Sequence, residues 1–198
     1  MACTPHPEFD EIVRRMGRLV RRARSWRGDA YRSASVRYAD RRDLLSGRGS
    51  RDAGGRWNPL GSFDTVYLSS DVDTAWEESF AHHRHYGIPI YSALPRTFVA
   101  VQVNLQRLLY LVDGEIRQRL RISEERMLDE PWHELQDHAE EALTQTIGRA
   151  AFDLGLEGLV VPSAESVTGE NLVIFPHHLR PGSELNIINA SELPRFPR

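Results

Sequence analysis

Apolar and polar residues repeat along this chain with two periods, and each period predicts a different element. In residues 9–24 the apolar positions recur at helical spacing, which predicts an amphipathic helix, and Asp10 lies where a helix cap is expected. In residues 96–105 apolar and polar positions alternate, as they do in a half-buried strand. Shorter apolar runs predict further strands at residues 30–36, 66–68, 159–161, 172–175 and 185–188.

Helical spacing predicts three more helices, at residues 71–86, 116–120 and 132–154. Gly155 or Gly158 ends the last of them, because glycine commonly follows a final helical turn. Residues 40–62 show no period and are rich in Gly, Arg, Asp, Ser and Asn, so we expect a long loop, and such a loop in a compact domain usually has a function. Short strands and helices without strict alternation predict a single α+β domain rather than a doubly wound sheet.

The composition is that of an ordinary globular protein. The 198 residues are 40% hydrophobic and 27% charged. No apolar run approaches the roughly 20 residues that a membrane span requires, so no membrane association is expected. The first residues lack the charged-then-apolar order of a secretory signal, and we therefore expect a cytoplasmic protein. Cys3 is the only cysteine, which excludes an intrachain disulfide.

Every basic residue in the Lys+Arg total of 25 is an arginine. The absence of lysine excludes a Walker-type phosphate loop and a Schiff-base mechanism. A G+C-rich genome explains this bias more simply than a functional demand. Arginines crowd residues 14–56 while residues 123–141 are mainly acidic, and the formal net charge is -3. Because the basic part has no interleaved aromatic platform, we expect no direct binding of nucleic acid.

One stretch collects the residue types that can handle a charged nucleotide. Residues 54–58 read Gly-Gly-Arg-Trp-Asn and lead through a predicted strand to an acidic pair, Glu77 and Glu78. The two glycines let a backbone approach a ligand closely, and Arg56 can bind a phosphate. Tyr67 offers a face for stacking, and a carboxylate can stabilise developing positive charge. We therefore predict the functional centre here.

Blander interpretations of the same residues stay open. Glu77 and Glu78 can be solvated charges on a helix face, and Arg56 can tie its loop to a backbone carbonyl. Tyr67 can be a core residue with a satisfied hydroxyl. The His-His-Arg-His sequence at residues 82–85 places two histidines one turn apart, but zinc sites recruit further ligands at recognisable spacing, so we expect no metal.

Three motifs in this stretch carry a resemblance to a known family. They are Gly-Gly-Arg-Trp-Asn-Pro at residues 54–59, Tyr-Leu-Ser at 67–69 and Ala-Trp-Glu-Glu at 75–78. In these motifs the chain resembles the RES domain family of bacterial toxins. The similarity runs from residue 29 to residue 188. The family is named for an arginine, a glutamate and a serine, which fall on Arg32, Glu78 and Ser163, with Arg37 replacing Arg32 if the alignment carries a gap.

The resemblance implies a fold similar to that of ADP-ribosyltransferases, with a split mixed or antiparallel sheet, surrounding helices and a cleft for NAD. The catalytic domain is then residues 29–190, after an N-terminal helix in residues 1–28 and before a tail at 191–198. Catalytic roles are implied for Glu78, Arg32 and Tyr67, with Glu78 facing the ribose. The predicted substrate-binding residues are Arg56, Ser163, Arg37, Asn171 and Asn58, although Asn58 on the residues alone is favoured as a loop-building side chain.

The resemblance also implies a function, a toxin that degrades NAD. NAD is then a substrate and not a cofactor, and inorganic phosphate is a co-substrate if the reaction is phosphorolysis rather than hydrolysis. Two alternatives stay open: a protein mono-ADP-ribosyltransferase, and a non-enzymatic module that binds a nucleotide or a partner. The expected partner is a cognate Xre-type helix-turn-helix antitoxin. The amphipathic N-terminal helix offers a surface for homo-oligomer formation.

Overall fold

The computed structural model describes residues 3–194. The strands are β1 (Arg24–Ser35), β2 (Val66–Ser69), β3 (Arg96–Tyr110), β4 (Gly158–Pro162), β5 (Glu170–Ile174) and β6 (Glu184–Ile187). The α-helices are α1 (Phe9–Leu19), α2 (Arg41–Ser46), α3 (Arg48–Ala53), α4 (Val72–His85), α5 (Gly114–Leu120), α6 (Glu124–Leu128), α7 (Trp132–Asp137) and α8 (Leu143–Asp153). Among the helices of this described range, none is long and apolar enough to cross a membrane.

The strands form one mixed sheet that closes on itself. Strand β3 pairs antiparallel with β1 and β6 and parallel with β4, and β5 lies between β4 and β2. The circuit closes between β1 and β2, where the pairing is limited to Tyr31 opposite Ser69. The α+β prediction is confirmed and the sheet is mixed. The expected split of the sheet is not seen: the strands of the described residues form one sheet, because β1 and β3 are long enough to pair with different strands along their lengths.

Apolar side chains are buried on both faces of the sheet. One cluster takes residues from all six strands, including Val101 and Val160. The other lies under the helices and joins Leu159 and Val161 to residues of α1, α5 and α8. Successive residues of β4 thus belong alternately to the two clusters, as the period of a strand requires. The doubly buried strands explain why 159–161 and 172–175 read as continuous apolar runs.

The predicted helix at residues 132–154 is wrong as a single element. It is two helices, α7 and α8, with Ala139 in a left-handed conformation between them. The Glu130 carboxylate accepts hydrogen bonds from the backbone N–H groups of Leu143 (2.8 Å) and Thr144 (3.2 Å). A carboxylate at these otherwise unpaired N–H groups stabilises a new helix start, and it comes from outside the helix, where periodicity gives no signal.

The predicted loop at residues 40–62 contains the short helices α2 and α3. Asp40 caps α2 by accepting a hydrogen bond from the backbone N–H of Asp43 at 2.8 Å. Gly47 separates the two helices at a φ of 73°, a left-handed conformation that glycine adopts without strain. Each helix has six residues, too few for a hydrophobic period to be visible in the sequence.

The N-terminal helix ends earlier than predicted. Helix α1 stops at Leu19, and β1 begins at Arg24, so the strand crosses the predicted domain boundary at residue 28. Ile12 and Met16 of α1 are completely buried against α5 and α8. The apolar face of this helix is therefore covered within the domain and is not free for self-association. The predicted tail at 191–198 lies partly outside the described residues.

Candidate active site

A cleft of about 440 Å³ opens where β1 and β2 diverge, next to their single paired position. This volume is in the range of small-molecule sites. Its walls come from β1, β2, β5, the first residue of β3, helices α4 and α7, the glycine-rich turn before β2, and the end of β4 with the residues that follow it. The predicted residues that line it are Glu78, Arg32, Arg56, Tyr67 and Asn171. Residues far apart in sequence thus converge on one concave site.

Glu78 is held in this cleft through one of its two carboxylate oxygens. The Ser163 hydroxyl and the Asn171 side-chain amide both donate to Glu78 Oε1 at 2.6 Å. Asn171 is itself fixed by the Ser69 hydroxyl, which donates to its Oδ1 at 2.8 Å. Among the described residues no hydrogen bond reaches Glu78 Oε2. The arrangement orients the carboxylate firmly and leaves its second oxygen for a ligand.

The neighbouring Glu77 is engaged elsewhere. Its carboxylate forms an ion pair with Arg84 at 3.1 Å, and its side chain is 47% exposed. Arg84 in turn binds Glu165 at 2.6 Å. The helical rotation between adjacent positions separates the two glutamates, so that only Glu78 lines the cleft.

Arg56 lies at the tip of a tight turn made by the glycine-rich sequence. The backbones of Gly55 and Asn58 hydrogen-bond to each other in both directions, at 2.9 and 3.2 Å. Both residues between them border the cleft, but the side chain of Trp57 is packed in the core at 3% exposure while Arg56 is less buried. Arg56 Nη1 also donates to the carbonyls of Met127 (2.9 Å) and Leu128 (3.2 Å) at the end of α6. Arg56 therefore ties its turn to backbone carbonyls, as one interpretation of the sequence expected, and it also lines the cleft.

Tyr67 holds the same turn in place. Its hydroxyl donates to Asn58 Oδ1 at 2.7 Å and accepts from the backbone N–H of Trp57 at 3.1 Å. Burial raises the pKa of Tyr67, so the hydroxyl stays protonated at neutral pH. A side chain at Gly55 would place a Cβ only 2.7 Å from the Tyr67 hydroxyl, which explains why this position is glycine. Tyr67 thus contributes its ring to the cleft and its hydroxyl to the turn.

Arg32 faces the cleft from β1 and is accompanied by Arg96 from the start of β3. Arg96 Nε donates to the Ser33 hydroxyl at 2.7 Å, and its guanidinium carbon lies 5.9 Å from the ring centre of Phe80. Burial lowers the pKa of Arg32 to about 10, and the positive charge of Arg96 acts in the same direction while Tyr67 opposes it. This part of the cleft is strongly positive.

Aromatic rings form another wall of the cleft. The ring of His133 lies 3.6 Å from that of Trp132 and stacks at 4.2 Å on His85, centre to centre. Burial lowers the pKa of His133 to about 4, and the nearby His85 and His82 add to the effect, so His133 is uncharged at neutral pH. Within residues 3–194, no group of three His, Cys, Asp or Glu side chains is arranged to hold a metal ion.

Three predicted substrate-binding residues do not line the cleft. Asn58 is completely buried, and its amide donates to the Ser50 carbonyl at 2.7 Å, so it builds the turn. Ser163 is buried, and its hydroxyl donates to Glu78 while accepting the backbone N–H groups of Glu165 and Ser166. Arg37 is exposed beyond the end of β1, so of the two candidate arginines only Arg32 reaches the cleft.

Arg96, Trp132 and His133 are three of the lining residues that were not predicted as site residues. Arg96 is one of many arginines, and the pairing of β1 with β3, in which it lies opposite Ser35, brings it to the same cleft as Arg32. Trp132 and His133 fell inside a segment predicted as one continuous helix. No local sequence signal marks any of the three, because their place in the site depends on contacts between distant segments.

Comparison with known proteins gives three concordant findings. The family model of the RES domain matches residues 29–195. The curated proteins named NAD(+) phosphorylase MbcT, from Mycobacterium bovis and two strains of Mycobacterium tuberculosis, are each 26% identical over 143 residues, covering 71% of this chain and 72% of the relative. The crystal structure of the M. tuberculosis MbcT-MbcA toxin-antitoxin complex matches with a TM-score of 0.68 and 23% identity, covering 92% of this chain and 96% of that chain.

Proposed function

This chain belongs to the RES domain family, and from that premise we propose that it is a toxin that degrades NAD⁺ by phosphorolysis. The observation that carries the proposal is the position of Glu78, a carboxylate oriented through one oxygen inside a cleft that also contains Arg32, Arg56 and Arg96. The names of the MbcT relatives favour phosphate over water as the acceptor. The proposed fold relationship is to ADP-ribosyltransferases, with this cleft as the NAD⁺ site.

The proposed reaction breaks the bond between nicotinamide and C1′ of its ribose. Nicotinamide leaves with the bonding electron pair and becomes neutral, so it needs no acid catalyst. Positive charge then develops on the sugar, as in glycoside cleavage, and the Glu78 carboxylate stabilises it electrostatically. An oxygen of hydrogen phosphate forms the new bond to C1′, which gives ADP-ribose phosphate. Hydrolysis would differ only in that water attacks and loses a proton.

Arginines and aromatic rings supply the proposed binding energy. The planar guanidinium group suits phosphate oxygens, and Arg56 is presented at the tip of a turn that its hydrogen bonds to α6 hold in place. Burial lowers the pKa of Arg56, while the nearby Glu78 opposes this shift. The ring of Tyr67 and the wall formed by Trp132 and His133 offer faces for the bases.

The test of this function is the set of products formed from NAD⁺. We expect purified protein with NAD⁺ and phosphate to release nicotinamide and ADP-ribose phosphate, identified by mass spectrometry, and to react far more slowly without phosphate. Equal amounts of ADP-ribose with and without phosphate would indicate hydrolysis instead. Labelled ADP-ribose on a protein would indicate a transferase, and NAD⁺ that survives unchanged would leave only a binding role.

Ser163 is proposed to act through Glu78 rather than on the substrate. We expect Ser163→Ala to lower kcat about 10-fold with little change in KM for NAD⁺, because Glu78 loses one of its two hydrogen bonds. Ser166→Ala, in the same loop, is the matched control and should be near wild type. In a Glu78→Gln background the Ser163→Ala change should have much less effect. Independent, multiplying effects of the two changes would contradict a role through Glu78.

The proposed partner is a cognate Xre-type helix-turn-helix antitoxin that blocks the cleft, and the proposed compartment is the cytoplasm, where NAD⁺ is available. The similar M. tuberculosis structure is a complex of the toxin MbcT with the antitoxin MbcA, and it supports this proposal. Co-expression with the cognate antitoxin should restore both growth and the NAD⁺ pool of cells that produce this protein.

A further inference from the structure

Arg32 and Arg96 are positively charged side chains of the cleft that lack an acidic partner in the part of the chain that the structure describes. Within residues 3–194, neither Arg32 nor Arg96 forms an ion pair with a carboxylate. Arg32 Nη1 is buried and has no hydrogen-bond partner there. Many of the other arginines do pair with Asp or Glu, for example Arg149 with Glu141 at 2.5 Å. Other arginines also lack an ion pair, but among the described residues Arg32 Nη1 is the only buried guanidinium nitrogen without a hydrogen-bond partner.

Placing these two charges together costs free energy. A buried cation without a partner is poorly solvated, and a second cation beside it adds repulsion. Both effects are present at Arg32, where burial and the charge of Arg96 lower the pKa together. Glu78 forms no ion pair with either arginine: Asn171 and Ser163 hold its carboxylate, and its charge opposes the burial that lowers the pKa of Arg56. A bound anion between the two guanidinium groups would offset both the poor solvation and the repulsion.

The geometry suits a small tetrahedral oxyanion. The Ser33 hydroxyl fixes Arg96 through Nε, so the two Nη groups of Arg96 remain for another partner. Arg32 offers its unpaired Nη1 from the adjacent strand. Guanidinium forks bind phosphate oxygens through paired hydrogen bonds, and two forks can neutralise a dianion. Arg56 reaches the cleft from a different wall, and its charge interacts with the charge of Glu78.

We propose that Arg32 and Arg96, with Arg96 fixed by Ser33, form a separate subsite for inorganic phosphate, the attacking co-substrate. This assignment rests on the proposed phosphorolysis and divides the charges of the cleft between two ligands. Arg56 serves the pyrophosphate of the dinucleotide, and the pair from β1 and β3 serves free phosphate. Free phosphate and the pyrophosphate of the dinucleotide offer similar oxygen atoms to a guanidinium group. The experiment therefore compares the binding of inorganic phosphate with the binding of ADP-ribose.

The test is a calorimetric titration of the free protein with inorganic phosphate and, separately, with ADP-ribose. Arg96→Gln should weaken phosphate binding about 10- to 100-fold, the effect of removing one charged hydrogen-bonding partner, and should change ADP-ribose binding much less. Arg27→Gln is the matched control, since Arg27 is an exposed arginine of β1 outside the cleft. Phosphate should still bind when ADP-ribose is saturating.

Several outcomes would overturn the subsite. They are wild-type protein that binds no phosphate, an Arg96→Gln variant that binds it normally, or a variant that loses ADP-ribose binding and keeps phosphate binding. Arg96→Lys should recover part of the affinity, and thermal unfolding checks that each variant is folded. Because these titrations need no NAD⁺ cleavage, an inactive protein that binds phosphate through Arg96 would refute the proposed function and leave the subsite standing.

In turnover, Arg96→Gln should raise KM for phosphate about 10- to 100-fold and change KM for NAD⁺ little. The product mixture should shift from ADP-ribose phosphate toward ADP-ribose, because water competes better when phosphate binds weakly. A rise in KM for NAD⁺ alone would contradict the assignment, since it would place the dinucleotide's own phosphates between Arg32 and Arg96.

Discussion

Replacing Glu78 by glutamine is expected to reduce NAD⁺ cleavage by at least about 100-fold, the typical cost of removing one electrostatic stabiliser of a transition state. Glutamine has the same shape and keeps an oxygen that can accept the hydrogen bonds of Ser163 and Asn171. The substitution therefore removes the negative charge and keeps the side chain of residue 78 in the same place. The loss should appear in kcat, with KM for NAD⁺ nearly unchanged, because charge on the ribose develops only in the transition state.

The matched control for this prediction is Glu77→Gln. Glu77 is the adjacent residue on the same helix, but it pairs with Arg84 and does not line the cleft. We expect the Glu77→Gln variant to retain nearly full activity, since a half-exposed ion pair contributes little to stability. Steady-state rates of nicotinamide release measure both variants. Equal activity of Glu78→Gln and wild type, or equal loss in the two variants, would refute the role of Glu78.

Replacing Gly148 by alanine is expected to destabilise the protein by about 3 kcal/mol, at the upper end of the cost of overpacking a core. Gly148 lies in α8, and a Cβ at this position would be only 1.8 Å from the carbonyl oxygen of Trp57. The backbone of α8 or of the turn that contains Trp57 would have to move. Because Trp57 follows Arg56 in the tight turn, we expect the movement to disturb the cleft and reduce activity as well.

Gly17→Ala is the matched control, because it makes the same change in another helix. Gly17 is exposed in α1, and its Cβ would lie 3.8 Å from the nearest atom, a side-chain carbon of Leu154. Here alanine should stabilise the protein by about 0.5–1 kcal/mol, the difference in helix propensity. Urea unfolding measures both variants. Similar effects of the two substitutions would show that close packing at Trp57 does not constrain Gly148.

The parts of the fold that could be predicted are those in which each segment shows its own period. The strand at residues 96–105 and the apolar face of α1 were predicted because alternation and helical spacing are local properties. The boundaries of β1 and the start of α8 were not, since the pairing of β1 with β3 and the cap that Glu130 gives to α8 depend on distant residues. Tertiary contacts, rather than propensity, decided these boundaries.

The candidate site shows the same division. Glu78, Arg56 and Tyr67 lie in one short stretch whose motifs indicate chemistry, and the structure brings them to one cleft. The resemblance also pointed to Ser163, but only the folded chain shows that its hydroxyl binds Glu78 from a buried position. Arg96 carries no motif, and its proposed role depends on Arg32, which lies 64 positions earlier in the chain and lines the same cleft.

The central claim is that the Glu78 carboxylate faces the nicotinamide ribose of a bound NAD⁺. The most direct measurement is a crystal structure of the Glu78→Gln variant with NAD⁺, which this variant should bind without cleaving. We predict that the side-chain amide of residue 78 lies about 3–3.5 Å from the ribose, the separation of groups poised to react, with the pyrophosphate beside Arg56. NAD⁺ bound outside this cleft, or with its adenine ribose at residue 78, would contradict the account.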